Sequence, residues 1–309
     1  MKTLRVGHLS TLYHTSIVMQ AVPWLLEGYP LDIHWRLYGT GPAIVEAFKR
    51  GEIDLAYIGL PPAIIGITEG VDIVCVAGGH VEGTVIASGA DASGYPETDD
   101  LAGILSQFER IGVPGRGSIH DLIINDLLYS LDVSVEVVNL PWADEVLEAF
   151  MKGGVDAVVG TPALAEAVIY YGGGRIVYPP ERLWPDNPSY GILVDKGLLE
   201  RYRDEIRLFL QLHEKASLLL RKETAEVASA ISGLLGMVDR DFVLGTLGIS
   251  PHYCATLTEA YIECTMRLGA RMRELGYIKR LPPAEEIFDL SLVEEIHPED
   301  DHYRETINI

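Results

Sequence analysis

Cysteine is scarce in this chain of 309 residues. Cys75, Cys254 and Cys264 are odd in number and show no CxxC spacing, so neither a disulfide framework nor a zinc knuckle follows from them. Cys75 sits in the apolar run 71–77 and reads as a buried structural thiol. Basic residues are thin as well: 24 Lys and Arg face 45 Asp and Glu, for a formal charge of −21. A field of that sign repels phosphate backbones and anionic lipid surfaces, which excludes nucleic acid as a partner class. A small anionic ligand is not excluded, because the global field is screened within about 8 Å in physiological salt while a helix N-terminus or an Arg acts at contact. The bland reading of the acidity is solubility or adaptation to salt. No apolar run reaches the ~18 residues a transmembrane helix needs, and the opening stretch Met-Lys-Thr-Leu-Arg-Val-Gly enters a strand without the pattern of a leader. As written, the chain is expected in the cytoplasm; if a leader was trimmed from it, outside.

Catalytic signatures are missing too. There is no GxxxxGK[ST] loop and no Ser-His-Asp order, and Gly115-Arg-Gly-Ser-Ile-His120 lacks the third glycine of a dinucleotide fingerprint. No cofactor and no catalytic residue is named by the sequence. His80-Val-Glu82 by itself is too little for a metal site, so none is expected.

What is present is a repeat. Val45-Glu-Ala-Phe-Lys-Arg-Gly-Glu-Ile-Asp54-Leu-Ala-Tyr-Ile-Gly59-Leu-Pro61 returns as Leu147-Glu-Ala-Phe-Met-Lys-Gly-Gly-Val-Asp156-Ala-Val-Val-Gly160-Thr-Pro162, one residue shorter. Each copy reads as the end of an amphipathic helix, a Gly stop, a buried strand and a loop opening a further helix. Asp54 and Asp156, just after the stops, read as turn-forming structural residues. Around the first copy, strands at 4–9, 33–37, 54–58 and 73–77 alternate with helices at 12–26, 43–50 and 62–69, which calls for a parallel sheet covered on both faces. The stretch 78–84 breaks that pattern and reads as a crossing to a second lobe, and 189–194 as the strand returning. The text from 198 to 276 is helical, with breaks near Gly236 and at 245–251, and is expected to pack on the first lobe and its hinge. The end, 281–309, is acidic, carries His297 and His302, and reads as mobile or peripheral.

Gly51-Glu-Ile-Asp54 with its Gly-x-Pro loop, Ile111-Gly-Val-Pro-Gly-Arg-Gly-Ser118 before a helix, and Val137-Val-Asn-Leu-Pro141 ahead of Gly154-Val-Asp-Ala157 resemble the type II periplasmic-binding-protein fold. Within it they are most similar to the branch holding nitrate, sulfonate and taurine solute-binding proteins and the thiamine-pyrimidine synthases. The resemblance covers residues 4–220. It implies an α/β fold of two lobes, each a mostly parallel sheet flanked by helices, with added C-terminal helices. Lobe one is expected over 1–83 and 190–280, lobe two over 84–189, and an acidic tail over 281–309. The Cys-rich motif of the synthases is absent, and no lysine near His14 can hold pyridoxal phosphate in their manner.

Ligands of such sheets lie beyond the carboxyl ends of the strands. Loops there that end in small residues and open a helix offer unpaired N–H groups to an anion. Four loops qualify: 10–14, 39–41, 59–61 and 115–118. From them Ser10, Thr11, His14, Gly39, Thr40, Gly59, Pro61, Gly117 and Ser118 are candidate ligand contacts, with Ser118 equally suited to capping its own helix. Arg116 can grip a carboxylate, sulfonate or phosphate in two-pronged fashion. His14 matches the first ligand loop of the resembled family, where a His is often found, and titrates near neutrality when unperturbed. His80 lies at the crossing. Tyr38, Trp142 and Tyr190 are loop aromatics suited to lining a cleft, and Asn139 and Thr161 are short polar groups at strand ends. The expected function is a solute-binding protein of the ABC-importer type, closing two lobes on a small anionic or polar organic molecule, with an importer permease as the partner that implies. The alternative is a cytosolic enzyme on the same scaffold, resembling thiamine-pyrimidine synthases or menaquinone-route enzymes; a cytosolic ligand sensor comes third.

Overall fold

The computed structural model describes residues 3–305 and 307. Met1 and Lys2 of the expected first lobe and Thr306, Asn308 and Ile309 of the expected tail lie outside the described residues. Two five-stranded sheets form. The first has the order β2-β1-β3-β10-β4, with β1 Thr3–Leu9, β2 Asp32–Tyr38, β3 Leu55–Ile58, β4 Ile73–Val81 and β10 Pro188–Asp195. The second has the order β7-β6-β8-β5-β9, with β5 Val85–Ser88, β6 Arg110–Pro114, β7 Glu136–Leu140, β8 Ala157–Gly160 and β9 Arg175–Tyr178. Strands β1, β2 and β3 run parallel, as do β6, β7 and β8. The strands that carry the chain between sheets, β5 and β10, are antiparallel to their neighbours. The chain therefore passes between lobes twice, and each lobe is a parallel core with one reversed strand.

The duplication is visible in the packing. In the first lobe the Asp54 carboxylate accepts the Arg5 backbone N–H at 2.8 Å and two guanidinium bonds from the same residue at 2.9 and 2.6 Å. In the second, Asp156 accepts the backbone N–H groups of Glu109 and Arg110 at 2.9 and 2.8 Å. Each aspartate thus pins the start of the strand beside it, β1 or β6, and has a structural role. Both glycine stops before them, Gly51 and Gly153, hold positive φ (61° and 70°), a conformation glycine adopts at little cost.

Helices that follow the strands of the two lobes include α1 Thr15–Ala21, α2 Gly41–Lys49, α3 Leu60–Thr68, α4 Leu101–Ser106, α5 Ile119–Ser130, α6 Ala143–Met151 and α7 Pro162–Gly172. Several expected elements change length. The helix expected over 12–26 is α1 followed by a 3-10 turn at Pro23–Leu26, because Pro23 has no N–H to continue the ladder. Strand β4 runs on through Gly78, Gly79 and His80 to Val81, so the crossing is confined to 82–84. Gly245 does not break its helix; Arg240–Ile249 is continuous, and the missing side chain lets it approach α7 so closely that a Cβ there would strike the Glu166 carboxylate.

That contact corrects the placement of the C-terminal helices as well. Helix Arg203–Lys222 packs on α1 in the first lobe, as expected, but Arg240–Ile249 lies on α7 of the second. Tyr170 on α7 donates to Asp239 at 2.6 Å, and Arg271 in helix Glu259–Glu274 pairs with Asp126 on α5. The acidic end is not a loose tail. Ile287, Phe288, Leu292, Val293, His297 and Tyr303 are buried, and Phe288 bridges to Cys75 in β4; their apolar surface outweighs the charge density that reads as disorder.

Candidate functional site

Between the sheets lies a cavity of about 430 Å³. It is bordered by the carboxyl ends of β1, β2 and β3 through Leu9, Gly39 and Gly59, and by those of β6 and β8 through Pro114 and Thr161. A pocket walled by both lobes at the strand ends is where an open α/β pair holds a ligand. Of the sequence candidates, Ser10, Thr11, His14, Gly39, Thr40, Gly59, Ser118, Trp142 and Thr161 line it.

Seven candidates do not line it. Tyr38 ends β2 outside the cavity, and Pro61 is buried in the first turn of α3. His80 is fully buried in β4, its Nδ1 2.9 Å from Ser189 Oγ and its Nε2 on the Ser250 carbonyl. Tyr190 is buried in β10, its hydroxyl 3.2 Å from both the backbone nitrogen and Oγ1 of Thr15. Arg116 is exposed. Gly117 and Asn139 fall away for one shared reason, which is Asp121. Its buried carboxylate accepts Gly117 N–H at 2.7 Å, Asn139 Nδ2 at 3.0 Å, Asn125 Nδ2 at 2.9 Å and the Tyr277 hydroxyl at 2.8 Å. The anion seat of the 115–118 loop is filled by the chain's own anion.

The tips of α2, α3, α5 and α7 are weaker anion seats than their sequences suggest, while those of α1 and α6 carry neither a side-chain cap nor a proline. Thr40 caps Ala43, Ser118 caps Asp121 and Thr161 caps Leu164, each consuming an N–H of its own helix. A proline stands at one of the first two helical positions of α2, α3 and α7, and proline has no N–H to offer. No Lys or Arg stands among the described residues that line the cavity, and the carboxylate of Asp144 does.

Two lining polar groups are left without a partner. Thr11 Oγ1 and His14 Nδ1 are buried and hydrogen-bond to nothing among the described residues. Burial, with His80, His8 and His120 near by, holds His14 well below its ordinary pKa, so the ring is neutral and can donate or accept. His120 also borders the cavity, its Nδ1 3.0 Å from Thr84 Oγ1 and its pKa pushed down to about 4 by burial. The sequence reading missed His120, Tyr13, Ile119, Leu147, Leu164 and Ser189 as lining residues. For His120 a signal existed: it stands second in the helix that Ser118 opens, and a side chain there faces the loop. Ser189 and the apolar positions carried no such mark.

Two α/β lobes crossed twice by the chain, with a cavity at their facing strand ends, make the two-lobed architecture of type II binding proteins. The chain belongs to the NMT1-like family, whose sequence profile matches residues 1–234. In fold it is similar to the ligand-binding component of an ABC-type import system from Staphylococcus aureus with zinc bound (TM-score 0.80, 17% identity, 97% of this chain and 100% of that one). It is similar also to the alkanesulfonate-binding protein SsuA from Xanthomonas axonopodis pv. citri bound to MOPS (TM-score 0.77, 18% identity, 93% and 98%). A binding protein of Brucella abortus (strain 2308) is 27% identical over 157 residues, half of this chain. That match covers 46% of the Brucella protein, so the chain spans about half the length of the curated relatives it matches.

Proposed function

We propose that the chain is a solute-binding protein of the ABC-importer type whose two lobes, 1–83 with most of 190–280 and 84–189 with helix Arg240–Ile249 against it, close on a small, polar but uncharged organic molecule. The observation that supports this most is the cavity between the lobes with two unsatisfied polar atoms, Thr11 Oγ1 and His14 Nδ1. A buried polar group without a partner costs about 1–3 kcal/mol, and a ligand that bonds both removes that cost. The sulfonate ligand class named for the Xanthomonas protein fits this lining less well. A dry anion wants a cation or free helix N–H groups; here no Lys or Arg lines the described wall, caps and prolines take some of the N–H groups at α2, α3 and α7, and Asp144 adds a negative charge. Apolar Leu9, Ile119, Leu147 and Leu164 supply the walls for a carbon framework.

An enzyme on this scaffold has one feature in its favour, the Ser189–His80 pair at the cavity edge. Burial pushes His80 down to about 3, too weak a base to activate a hydroxyl near neutrality. Ser189 Oγ also accepts Gly83 N–H at 2.7 Å. The pair therefore serves as a strut joining β4, β10 and the crossing. Native mass spectrometry of the chain purified from its own host tests the proposal: a retained neutral molecule of a few hundred daltons supports it, whereas a bound anion or a covalently altered Ser189 overturns it. Among the described residues no helix is long and apolar enough to cross a membrane. Import requires work outside the cytoplasm with a permease as partner, so recovery from the host's cytosolic fraction would favour the sensor or enzyme instead.

A further inference from the structure

The acidic C-terminal segment brings two histidines back to the helix Arg203–Lys222. Glu214, His297 and His302 each present a ligand atom within 4.8 Å of the other two. Each is oriented by further contacts. Cys254 Sγ lies 3.3 Å from His297 Nε2, while His297 Nδ1 is buried and hydrogen-bonds to nothing among the described residues. Nδ1 is therefore the ring nitrogen that the protein leaves without a partner. His302 Nδ1 is 3.1 Å from Glu305 Oε1, which leaves Nε2 as its free nitrogen. Glu214 is held by Arg221 at 2.9 Å on one oxygen and by Ala255 N–H at 3.0 Å on the other. Carboxylate–histidine pairs and ordered carboxylates of this kind fix ring tautomers around metal centres.

We infer that Glu214, His297 and His302 form a binding site for a divalent transition-metal ion of the zinc class, separate from the ligand cavity. Two imidazoles and one carboxylate suit zinc, cobalt or nickel and disfavour calcium and magnesium, which want oxygen ligands. Glu214 and Glu305 are each paired with a cation, Arg221 or Lys222, so imidazole bonding contributes to selecting the ion beside the carboxylates. A bound ion fastens the segment after Ile296 to the helix that packs on α1. Neither the solute-binding proposal nor its failure bears on this site.

The test uses the full chain without a histidine tag, stripped with EDTA and titrated with ZnCl2 and CoCl2. One equivalent is expected to bind, to raise the melting temperature and, for cobalt, to give visible d–d absorption of a low-coordinate N/O site. His302→Ala, a half-exposed position that leaves the core intact, is expected to weaken zinc at least about 10-fold and abolish the cobalt spectrum, and Glu305→Gln to weaken it about 10-fold through the lost orientation of the ring. A melting temperature unmoved by zinc, or His302→Ala binding as tightly as the parent, overturns the inference. If His302→Ala fails to fold, Glu214→Gln gives the same decision.

Discussion

His14 and Tyr190 face each other with ring centroids 3.9 Å apart and 35° between their planes. Tyr190 lies in β10, the strand that brings the chain back from the second lobe, and His14 lines the cavity. The Tyr190 hydroxyl continues the connection to Thr15, whose Oγ1 is 2.7 Å from His213 Nδ1, and His213 Nε2 is 3.0 Å from the Gly78 carbonyl. A buried path thus runs from the ligand-facing ring to β4 just before the first crossing. A hinge motion has to respect it, since every polar atom along it would be stranded by a shift of one strand against the other.

Replacing Thr11 by Val removes an unpartnered hydroxyl and keeps the shape of the side chain. If that hydroxyl serves the ligand, affinity for the co-purified solute falls about five- to tenfold, the worth of one hydrogen bond, while the melting temperature stays or rises slightly. Isothermal titration and differential scanning fluorimetry on the same sample decide it. A drop in stability with unchanged affinity assigns Thr11 to the fold instead.

Acid should destabilise this protein early. Burial depresses His14, pushes His80 down to about 3, and pushes His120 and His213 down to about 4. As pH falls through about 6.5 the unfolded chain takes up protons at these positions and the folded chain does not. The contribution of these four histidines is therefore full above about pH 6.5 and is lost from there toward about pH 4, at about 1.4 kcal/mol per pH unit for each; His297, raised to about 9, acts in the opposite sense at higher pH. Urea unfolding between pH 7.5 and 5 measures the slope, and His120→Gln should reduce it by about one proton. An identical slope in that variant would show that His120 titrates normally.

What the sequence made legible was local. Gly51 and Gly153 with the aspartates that follow them, the Ser118 cap, and the alternation of strand and helix are all written within a few residues, and the duplicated lobes follow from them. What it hid was tertiary. Nothing beside Gly115-Arg-Gly-Ser118 announces that Asp121 will fill the loop with its own carboxylate, or that Tyr277, far along the chain, will bond the same oxygen as Gly117. The burial of His297 and Tyr303 is likewise a product of long-range packing, and an acidic composition pointed the other way.

Across the mouth of the cavity Trp142 covers Gly39 so closely that a Cβ at 39 would sit 2.5 Å from the indole. Trp142 is 42% exposed and belongs to the second lobe. Gly39→Val is therefore expected to hold the lobes apart: solute affinity falls 10-fold or more, an amount that about 1.4 kcal/mol of lost closure energy produces, with little change in melting temperature. Small-angle scattering should show the variant expanded with solute present. A variant as compact and as tight-binding as the parent would mean that Trp142 is no part of closure.

Arg304 reaches from the C-terminal segment to Glu82, the crossing residue between the lobes. Its two terminal nitrogens contact the carboxylate at 3.0 and 2.9 Å, Asp186 N–H donates to it at 2.9 Å, and His252 Nε2 lies 3.3 Å away. Glu82 is fully buried and holds φ at 61°, a conformation its side chain would avoid unless these contacts enforced it. Removing the arginine leaves a buried carboxylate short of a counter-charge, which costs about 3 kcal/mol or more. Arg304→Ala should thus lower unfolding free energy by about that much, and adding Glu82→Gln should recover part of it, since the stranded charge is gone while the amide oxygen still accepts from Asp186. Denaturant titration of the two variants checks the sign of the coupling. Additive losses would mean that Arg304 acts through its exposed stem and not through Glu82, and that the C-terminal segment does not govern the crossing.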